Sequence, residues 1–348
     1  MKKALITGIS GQDGAWLAQL LLEKDYKVYG GMRRTSSKNV WRLEFLGIDK
    51  QIEYVPMEML EYENIKRVLQ KTKPDVIYNL AAQSFVHVSF EQPIFTAEVT
   101  ALGPLRILEA VRELGMHKDV KIYQANSSEM MGKAQEVPQT ETTRFYPRSP
   151  YAYAKAFAHH ACVNHRESYN MFVISGMLWN HESTIRSEEF VTRKITRAVS
   201  EFVVNGEKPL RLGNLSAKRD WGYAKEYMEA AFLMMNYDIP EDFVIATNTM
   251  HTVREFVEMA FGYCDIEIEW REGGSDEKGY HKKTGEVLVE VSPEFYRPAE
   301  VDLLIGNPAK AKKLLGWEPK TTLQQLVHMM VRQDLEWTRQ KKGVLVHG

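Results

Sequence analysis

The first half of the chain alternates short, β-branched apolar runs with longer segments whose apolar positions recur every three to four residues. Ala4–Thr7, Lys27–Gly30, Ile52–Pro56, Val76–Asn79, Ile122–Ala125 and Phe172–Gly176 read as strands, with helices between them such as Ala15–Glu23 and Ala101–Glu113. Near-continuous apolar strands alternating with helices predict α/β architecture: a parallel, doubly wound sheet covered by helices on both faces. After about Leu178 the rhythm breaks into mixed elements with polar loops. Thr252-Val253-Arg254-Glu255 has the form of a capping box, Asn307-Pro308 that of a helix start, and the polar, glycine-containing stretch Gly273–Glu286 that of a hairpin or exposed insertion. The expected organisation is a dinucleotide-binding unit over 1–178, to which a later segment at about 223–250 returns, and a smaller mixed α/β substrate region over 179–348.

Composition narrows the function classes. At 348 residues and 44% hydrophobic content the chain can bury a sizeable core, and a formal net charge of −1 gives no overall field to attract nucleic acid or an anionic membrane. An anionic ligand would have to be held by local cations. No apolar run is long enough for a membrane span, the N-terminus lacks a signal-peptide pattern, and Cys162 and Cys264 have no paired-ligand spacing. The expectation is a cytoplasmic protein with free thiols and no metal.

Thr7-Gly8-Ile9-Ser10-Gly11-Gln12-Asp13-Gly14 places GxxGxxG where the first strand meets the first helix. Glycines there let the backbone approach a pyrophosphate, and a helix N-terminus offers unpaired N–H groups. The same pattern occurs in ordinary tight turns, but its position favours a dinucleotide. The second strand runs into Arg33-Arg34-Thr35-Ser36, where an enzyme using NAD would carry an acid for the ribose. Two guanidinium groups suit a 2′-phosphate instead, which points to NADP, although a solvated basic loop has the same composition.

Tyr151-Ala152-Tyr153-Ala154-Lys155 is a YxxxK motif in a helical pattern reaching about Asn164, so Tyr151 and Lys155 share a face. An ammonium and an oxidised nicotinamide nearby would both favour the phenolate, making Tyr151 a base for a substrate hydroxyl. Taken alone, YxxxK also describes a solvated helical pair. Ser127 and Glu129 lie two apart where the fifth strand runs out, and continued extended geometry would point both to one side. A capping Ser-Ser-Glu turn accounts for the same residues.

The glycine motif, Ser127, Tyr151 and Lys155 occur in the order and spacing of extended short-chain dehydrogenase/reductases, which the chain resembles. The strings Asn79-Leu80-Ala81-Ala82-Gln83-Ser84, Phe145-Tyr146-Pro147-Arg148-Ser149-Pro150, Asn180-His181-Glu182-Ser183, Phe190-Val191-Thr192-Arg193-Lys194, Lys218-Arg219-Asp220-Trp221-Gly222 and Tyr296-Arg297-Pro298 narrow this to a resemblance to GDP-mannose 4,6-dehydratases, extending to about Trp337. The resemblance implies oxidation of a GDP-linked sugar at C4, abstraction of the C5 proton by Glu129, loss of water from C6 and return of the hydride to C6. It gives Ser127 and Tyr151 the 4-hydroxyl and Lys155 the cofactor ribose. It further implies NADP contacts at Gly8, Ile9, Ser10, Gly11, Gln12, Asp13, Arg33, Arg34, Thr35, Ser36, Glu58, Met59, Leu80, Ala81, Ala82, Gln83, Ser84, His181 and Arg186. For the GDP-sugar it implies Ser84, Asn180, Val191, Lys194, Arg219, Arg297 and Glu300. Each of these cations taken singly also fits a surface salt bridge, and the histidine a structural core pair.

The chain departs from the family where Ser127 replaces threonine, Met130-Met131 replaces Leu-Tyr, Met57-Glu58-Met59 replaces Gly-Asp-Leu, and Thr184-Ile185-Arg186-Ser187 replaces a Pro-Arg-Arg-Gly-like run. Serine keeps the hydroxyl, and Glu58 keeps a carboxylate for the adenine amino group. In the family the last loop and Thr35–Val40 lie near a subunit contact, so a homo-oligomer, tetramer or dimer, is implied. GDP-mannose is the expected substrate and GDP-D-glycero-manno-heptose the alternative. A nucleotide-sugar epimerase or 4-ketoreductase, and a non-catalytic nucleotide sensor, are the competing functions.

Overall fold

The computed structural model describes residues 1–206, 209–295 and 303–343. Six strands follow the apolar runs: β1 (Lys3–Thr7), β2 (Lys27–Met32), β3 (Glu53–Pro56), β4 (Val76–Asn79), β5 (Lys121–Ser127) and β6 (Val173–Leu178). With Phe243–Ile245 they form one seven-stranded sheet in the order Phe243–Ile245, β6, β5, β4, β1, β2, β3, every pair parallel. This is the doubly wound α/β fold. The order reverses beside β1, so the carboxyl ends of β1, β4 and β5 open a crevice there.

Local chemistry sets the helix boundaries. α1 (Gln12–Glu23) begins three residues before the expected Ala15, because Gly14 enters the first turn pressed against the backbone of Gly8. After the short helix α2 (Trp41–Phe45), α3 (Tyr62–Thr72) buries Ile65, Val68, Leu69 and Thr72 on one stripe and ends where Lys73 turns left-handed before Pro74. The expected helix at Ala101 begins instead as a π turn over Glu98–Leu102 and becomes α-helical at Gly103–Glu113. The Pro150–Tyr169 helix runs past the expected Asn164 to a left-handed Asn170. Its start is fixed by Ser149, whose hydroxyl accepts from the Ala152 N–H, and by Pro150 at a position that needs no N–H donor.

One apolar cluster on the α1 face joins Ile6, Trp16 and Leu17 to Met228, Ala231 and Phe243, so the Ala224–Asn236 helix packs on the main sheet. The opposite face buries Leu5, Ile77, Ile122 and Val173 together with α3 and the Gly103–Glu113 helix. A separate core lies among the helices Val191–Asn205, Val253–Gly262 and Leu323–Lys341. It is backed by a four-stranded sheet in the order Ile268–Arg271, Lys278–His281, Val287–Val291, Leu210–Leu212. The stretch read as a hairpin supplies the Lys278–His281 strand, antiparallel to both neighbours. Thr252 and Thr322 both complete capping boxes, with Glu255 and Gln325. Among the described residues no helix is long and apolar enough to cross a membrane.

Candidate active site

The glycine-rich turn leaves β1 with Gly8 at φ +70°, where a Cβ would stand 3.0 Å from the Ala81 nitrogen. The Gly11 N–H donates to the Gly8 carbonyl at 3.0 Å, and a Cβ on Gly14 would meet that carbonyl oxygen at 2.4 Å. α1 has glycine as its N-cap and no side-chain cap, so its first-turn N–H groups remain for a ligand. The glycines let the turn close on its own backbone and on the Leu80–Ala81 chain, and with the free first-turn N–H groups this cradle fits the diphosphate of a dinucleotide.

A cavity of about 650 Å³ extends from this turn across the carboxyl ends of the strands into the second core. Its lining includes Gly8, Gly11, Gln12 and Asp13, then Leu80, Ala82 and Ser84. Ser127, Glu129, Tyr151 and Lys155 form its middle, and Asn180, His181 and Arg186 follow. Val191, Lys194 and Arg219 line the far end. Another cavity, about 430 Å³ between Gln70–Asp75 and Leu114–Val120, sits at the amino ends of β4 and β5 and contains none of the expected site residues.

Several expected cofactor residues lie outside this lining. Ile9 and Met59 turn their side chains into the core, Met59 against Gly103, leaving only their backbone for a ligand. Ser10, Ala81 and Gln83 flank the cavity, and the Gln83 side chain is engaged with the Phe85 carbonyl at 3.0 Å. Arg33, Arg34, Thr35 and Ser36 are exposed beyond the end of β2, and the half-buried Glu58 follows β3. Arg297 and Glu300 lie outside the described residues.

At the centre, Tyr151 and Lys155 sit one turn apart on the Pro150–Tyr169 helix, Lys155 buried and Tyr151 half-buried at the cavity wall. Burial pushes the Tyr151 phenol up to about 12; a hydrogen bond from Ser127 opposes this, and the nearby Glu129 charge adds to it. The expected help from Lys155 is absent in this arrangement. Its ammonium is 5.8 Å from the Tyr151 ring centre and donates to the Ala125 carbonyl at 2.6 Å, and burial lowers its pKa to about 8. Lys155 alone therefore does not make the phenolate.

Glu129 reaches the cavity by a different path from the one strand alternation suggests. β5 ends at Ser127, a 3₁₀ turn covers Ser128–Met130, and Ser127 Oγ accepts the Glu129 N–H at 3.2 Å. The capping turn and the convergence of the two side chains on one cavity coexist, because the cap bends the chain and brings the carboxylate within electrostatic reach of Tyr151.

His181 bridges the two ends of the cavity. Its Nδ1 bonds the Trp179 carbonyl at 2.7 Å, its Nε2 bonds Asp13 Oδ2 at 2.9 Å, and its ring stacks on Tyr227. Burial opposes both charges, yet the pair holds Asp13 below the usual carboxylate range and His181 above the usual imidazole range. Gln12 adds to this link by donating to the His181 carbonyl at 3.1 Å and accepting from Ser183 Oγ at 2.8 Å. Arg186 has its Nε 2.9 Å from Glu182 Oε2 and its guanidinium 3.5 Å from the Phe190 ring centre. Lys194 lies 3.5 Å from the Phe295 ring centre, and burial lowers its pKa.

Sequence reasoning missed Phe85, Phe190 and Phe295 in the lining, because single aromatics in loops and at helix starts carry no periodic signal. It also missed Arg42. That guanidinium, 8% exposed, donates to the carbonyls of Ile185 at 2.7 Å and Ser10 at 3.1 Å and to Ser187 Oγ at 2.9 Å, tying the glycine-rich turn to the loop that carries Arg186.

A family model described as GDP-mannose 4,6 dehydratase matches residues 5–330. The chain is 49% identical over 364 residues to the GDP-mannose 4,6-dehydratase of Yersinia enterocolitica, covering 100% of this chain and 98% of that one. It is 48% identical over 342 residues to the human GDP-mannose 4,6 dehydratase, covering 97% and 92%. Among solved structures it is similar to a UDP-glucose 4-epimerase from Thermotoga maritima, with a TM-score of 0.81 and 22% identity over 96% of this chain and 99% of that one. A dTDP-glucose 4,6-dehydratase from Bacillus anthracis, determined in complex with NAD, gives a TM-score of 0.79 and 21% identity over 99% and 100%. At such identities the structural likeness speaks for the fold alone.

Proposed function

This chain belongs to the GDP-mannose 4,6-dehydratase family, and we propose that it removes water from the hexose of GDP-mannose, giving the GDP-4-keto-6-deoxy sugar, with NADP held in the glycine-rich cradle. The observation that carries the reading is the convergence of Ser127, Glu129 and Tyr151 on one cavity continuous with that cradle. When bound, NADP supplies the acceptor for the C4 hydride and its donor to C6, ends unchanged, and places the positive charge of its oxidised ring near Tyr151. Its cradle residues would be Gly8, Gly11, Gln12 and Asp13, with Leu80–Ser84 alongside, and Arg33, Arg34 and Ser36 would serve the 2′-phosphate.

Tyr151 takes the proton of the 4-hydroxyl while Ser127 holds that oxygen, and Lys155 orients the ribose. The ketone formed at C4 acidifies the C5 hydrogen. Glu129 removes that proton and passes it to the departing C6 hydroxyl, so water leaves; the proton restored to C5 as hydride reaches C6 is balanced by the one Tyr151 took from the 4-hydroxyl, which returns Tyr151 and Glu129 to their starting states. A simple ketoreductase needs no such carboxylate. Lys194 and Arg219, with Arg297, would offset the GDP diphosphate, and Asn180 and Val191 would border the nucleotide. The reading includes a homo-oligomer, tetramer or dimer, working in the cytoplasm; the free thiols of Cys162 and Cys264 suit a reducing compartment.

The test uses GDP-mannose deuterated at C4, with no added reductant. The proposal requires a product lighter by one water that carries the deuterium at C6, and NADP among the small molecules released from the protein. Deuterium lost to solvent, or stoichiometric consumption of added reduced cofactor, contradicts it. Faster turnover of GDP-D-glycero-manno-heptose would keep the chemistry and reassign the sugar.

A further inference from the structure

β1, β4, β5 and β6 carry one polar row in register: Thr7 opposite Asn79, Asn79 opposite Gln124, and Gln124 opposite Ser175. Two residues earlier on the same face stand Leu5, Ile77, Ile122 and Val173, all in the apolar cluster under the helices. The four polar residues are no more than 2% exposed. Burying such groups is unfavourable unless each is paired; Ser175 Oγ pairs with Asn126 Nδ2 and His159 Nδ1, and Thr7, Asn79 and Gln124 are paired in a directed chain. The N–H groups of Leu80 and Ala81 both donate to Thr7 Oγ1 at 3.1 Å, and Thr7 Oγ1 donates to Asn79 Oδ1 at 2.6 Å. Asn79 Nδ2 donates to Gln124 Oε1 at 2.6 Å, Gln124 Nε2 donates to the Ala125 carbonyl at 2.8 Å, and Lys155 Nζ donates to that same carbonyl at 2.6 Å.

The amide orientations follow from the partners. Ala125 offers only an acceptor, so Gln124 must turn its nitrogen there and its oxygen to Asn79. We propose that Gln124 is a positioning residue for Lys155, and that the chain through Asn79 and Thr7 couples the lysine to the Leu80–Ala81 edge of the cofactor cradle. A carbonyl oxygen has two lone pairs; Gln124 occupies one and leaves a single direction for the ammonium. Removing that donor frees Lys155 to turn about the carbonyl and deprives the Asn79 amide of its acceptor. The charged and titratable groups around Lys155 are Asp13 and Cys162, which favour its charged form, and Tyr151; on the next helical turn His159 is engaged with Ser175 Oγ at 2.9 Å. The inference rests on reading Lys155 as part of the active centre.

The experiment compares full-length Gln124→Leu, close in size and without polar atoms, and Gln124→Glu, close in shape and acidic, with the wild-type protein. Backbone hydrogen exchange should rise about tenfold at Leu80 and Ala81 in Gln124→Leu, while strands β2 and β3 keep their protection. With GDP-mannose, the alkaline limb of kcat should move to higher pH in Gln124→Leu, where the carbonyl is left wholly to the ammonium. It should move further in Gln124→Glu, with KM within about twofold of wild type. A uniform rise in exchange across the sheet, with the alkaline limb unmoved, overturns the proposal. Should the Gln124 variants fail to fold, Lys155→Met reads the chain from its other end: faster exchange at Leu80 and Ala81 supports the coupling, and unchanged exchange overturns it. The exchange measurement needs no substrate, so a protein inactive on GDP-mannose would contradict the proposed function and still test the coupling.

Discussion

Replacing Asp334 strands a buried guanidinium. Arg193, on the Val191–Asn205 helix, and Asp334, on the Leu323–Lys341 helix, have side chains 2% and 1% exposed, with Arg193 Nη2 and Asp334 Oδ1 2.7 Å apart. Arg193 Nε adds 2.9 Å contacts to both carboxylate oxygens, and Thr196 Oγ1 donates to Asp334 at 2.7 Å. The remaining Arg193 nitrogen, Nη1, donates at 2.8 Å to the carbonyls of Thr184 and Arg186, so the pair also anchors the loop bordering the cavity. Burial raises the Asp334 pKa despite the attraction of Arg193, a sign of how costly desolvation is at this site. In Asp334→Leu the arginine keeps two carbonyls and no counter-charge, which should cost about 3–5 kcal/mol. For a chain of this size that corresponds to a fall in Tm of roughly 6–10 °C, taking about 2 °C per kcal/mol. Adding Arg193→Met removes the stranded charge and should restore about 2 kcal/mol, the rest being lost to the orphaned Thr184 and Arg186 carbonyls. Differential scanning calorimetry of the wild type, both single variants and the double variant closes the cycle. If Asp334→Leu cost less than about 1 kcal/mol, or the single effects simply added, the ion pair would not be the anchor described.

The Asp13–His181 pair should confer a pH-dependent stability that His181→Gln removes. Asp13 is depressed, so its share is present above the ordinary value of 3.8 and is lost as pH falls through the folded value; His181 is raised, so its share is present below 6.5 and is lost as pH rises through the folded value. The stability difference between wild type and variant, about 1–3 kcal/mol, should therefore peak between these values, and a difference flat from acid to alkaline pH would refute the pairing. Gly14→Ala places a methyl 2.4 Å from the Gly8 carbonyl oxygen and 2.7 Å from Ile9 Cα, so protein purified from cells should have lost its cofactor. Gly262→Ala, with nothing within 4 Å, is the control and should be neutral or stabilising by about 0.5–1 kcal/mol; equal cofactor content in the two variants would show that the turn is not the cradle.

The parts of the fold legible in the sequence were those with local physical causes. β1, β2, β4, β5 and β6 are largely buried and so announce themselves as apolar runs, the edge strand β3 shows itself by Ile52 and Val55 beside exposed Glu53 and Pro56, and the Thr252 capping box lies within four residues. The edge strand Phe243–Ile245 is three residues long and follows a polar turn, too short to show a period. Tyr151 and Lys155 were legible because helical spacing alone brings them together. Glu129 was chosen for its chemistry, but its path into the cavity, a capped turn, contradicts the extended geometry assumed for it. Gln12 with Ser183, Arg42 with Ile185 and Arg193 with Asp334 meet across more than 140 residues, and nothing in their own segments marks them as partners.

Glu129→Gln tests the central claim most directly. The variant preserves shape while turning one acceptor oxygen into a donor and removing the charge and the base, so mixed with GDP-mannose it should form reduced nicotinamide and a 4-keto hexose that still holds its C6 oxygen. Formation of the 6-deoxy product should slow by about 10²–10⁴-fold. Water loss at the wild-type rate would contradict the assignment of Glu129 as the group that takes the C5 proton.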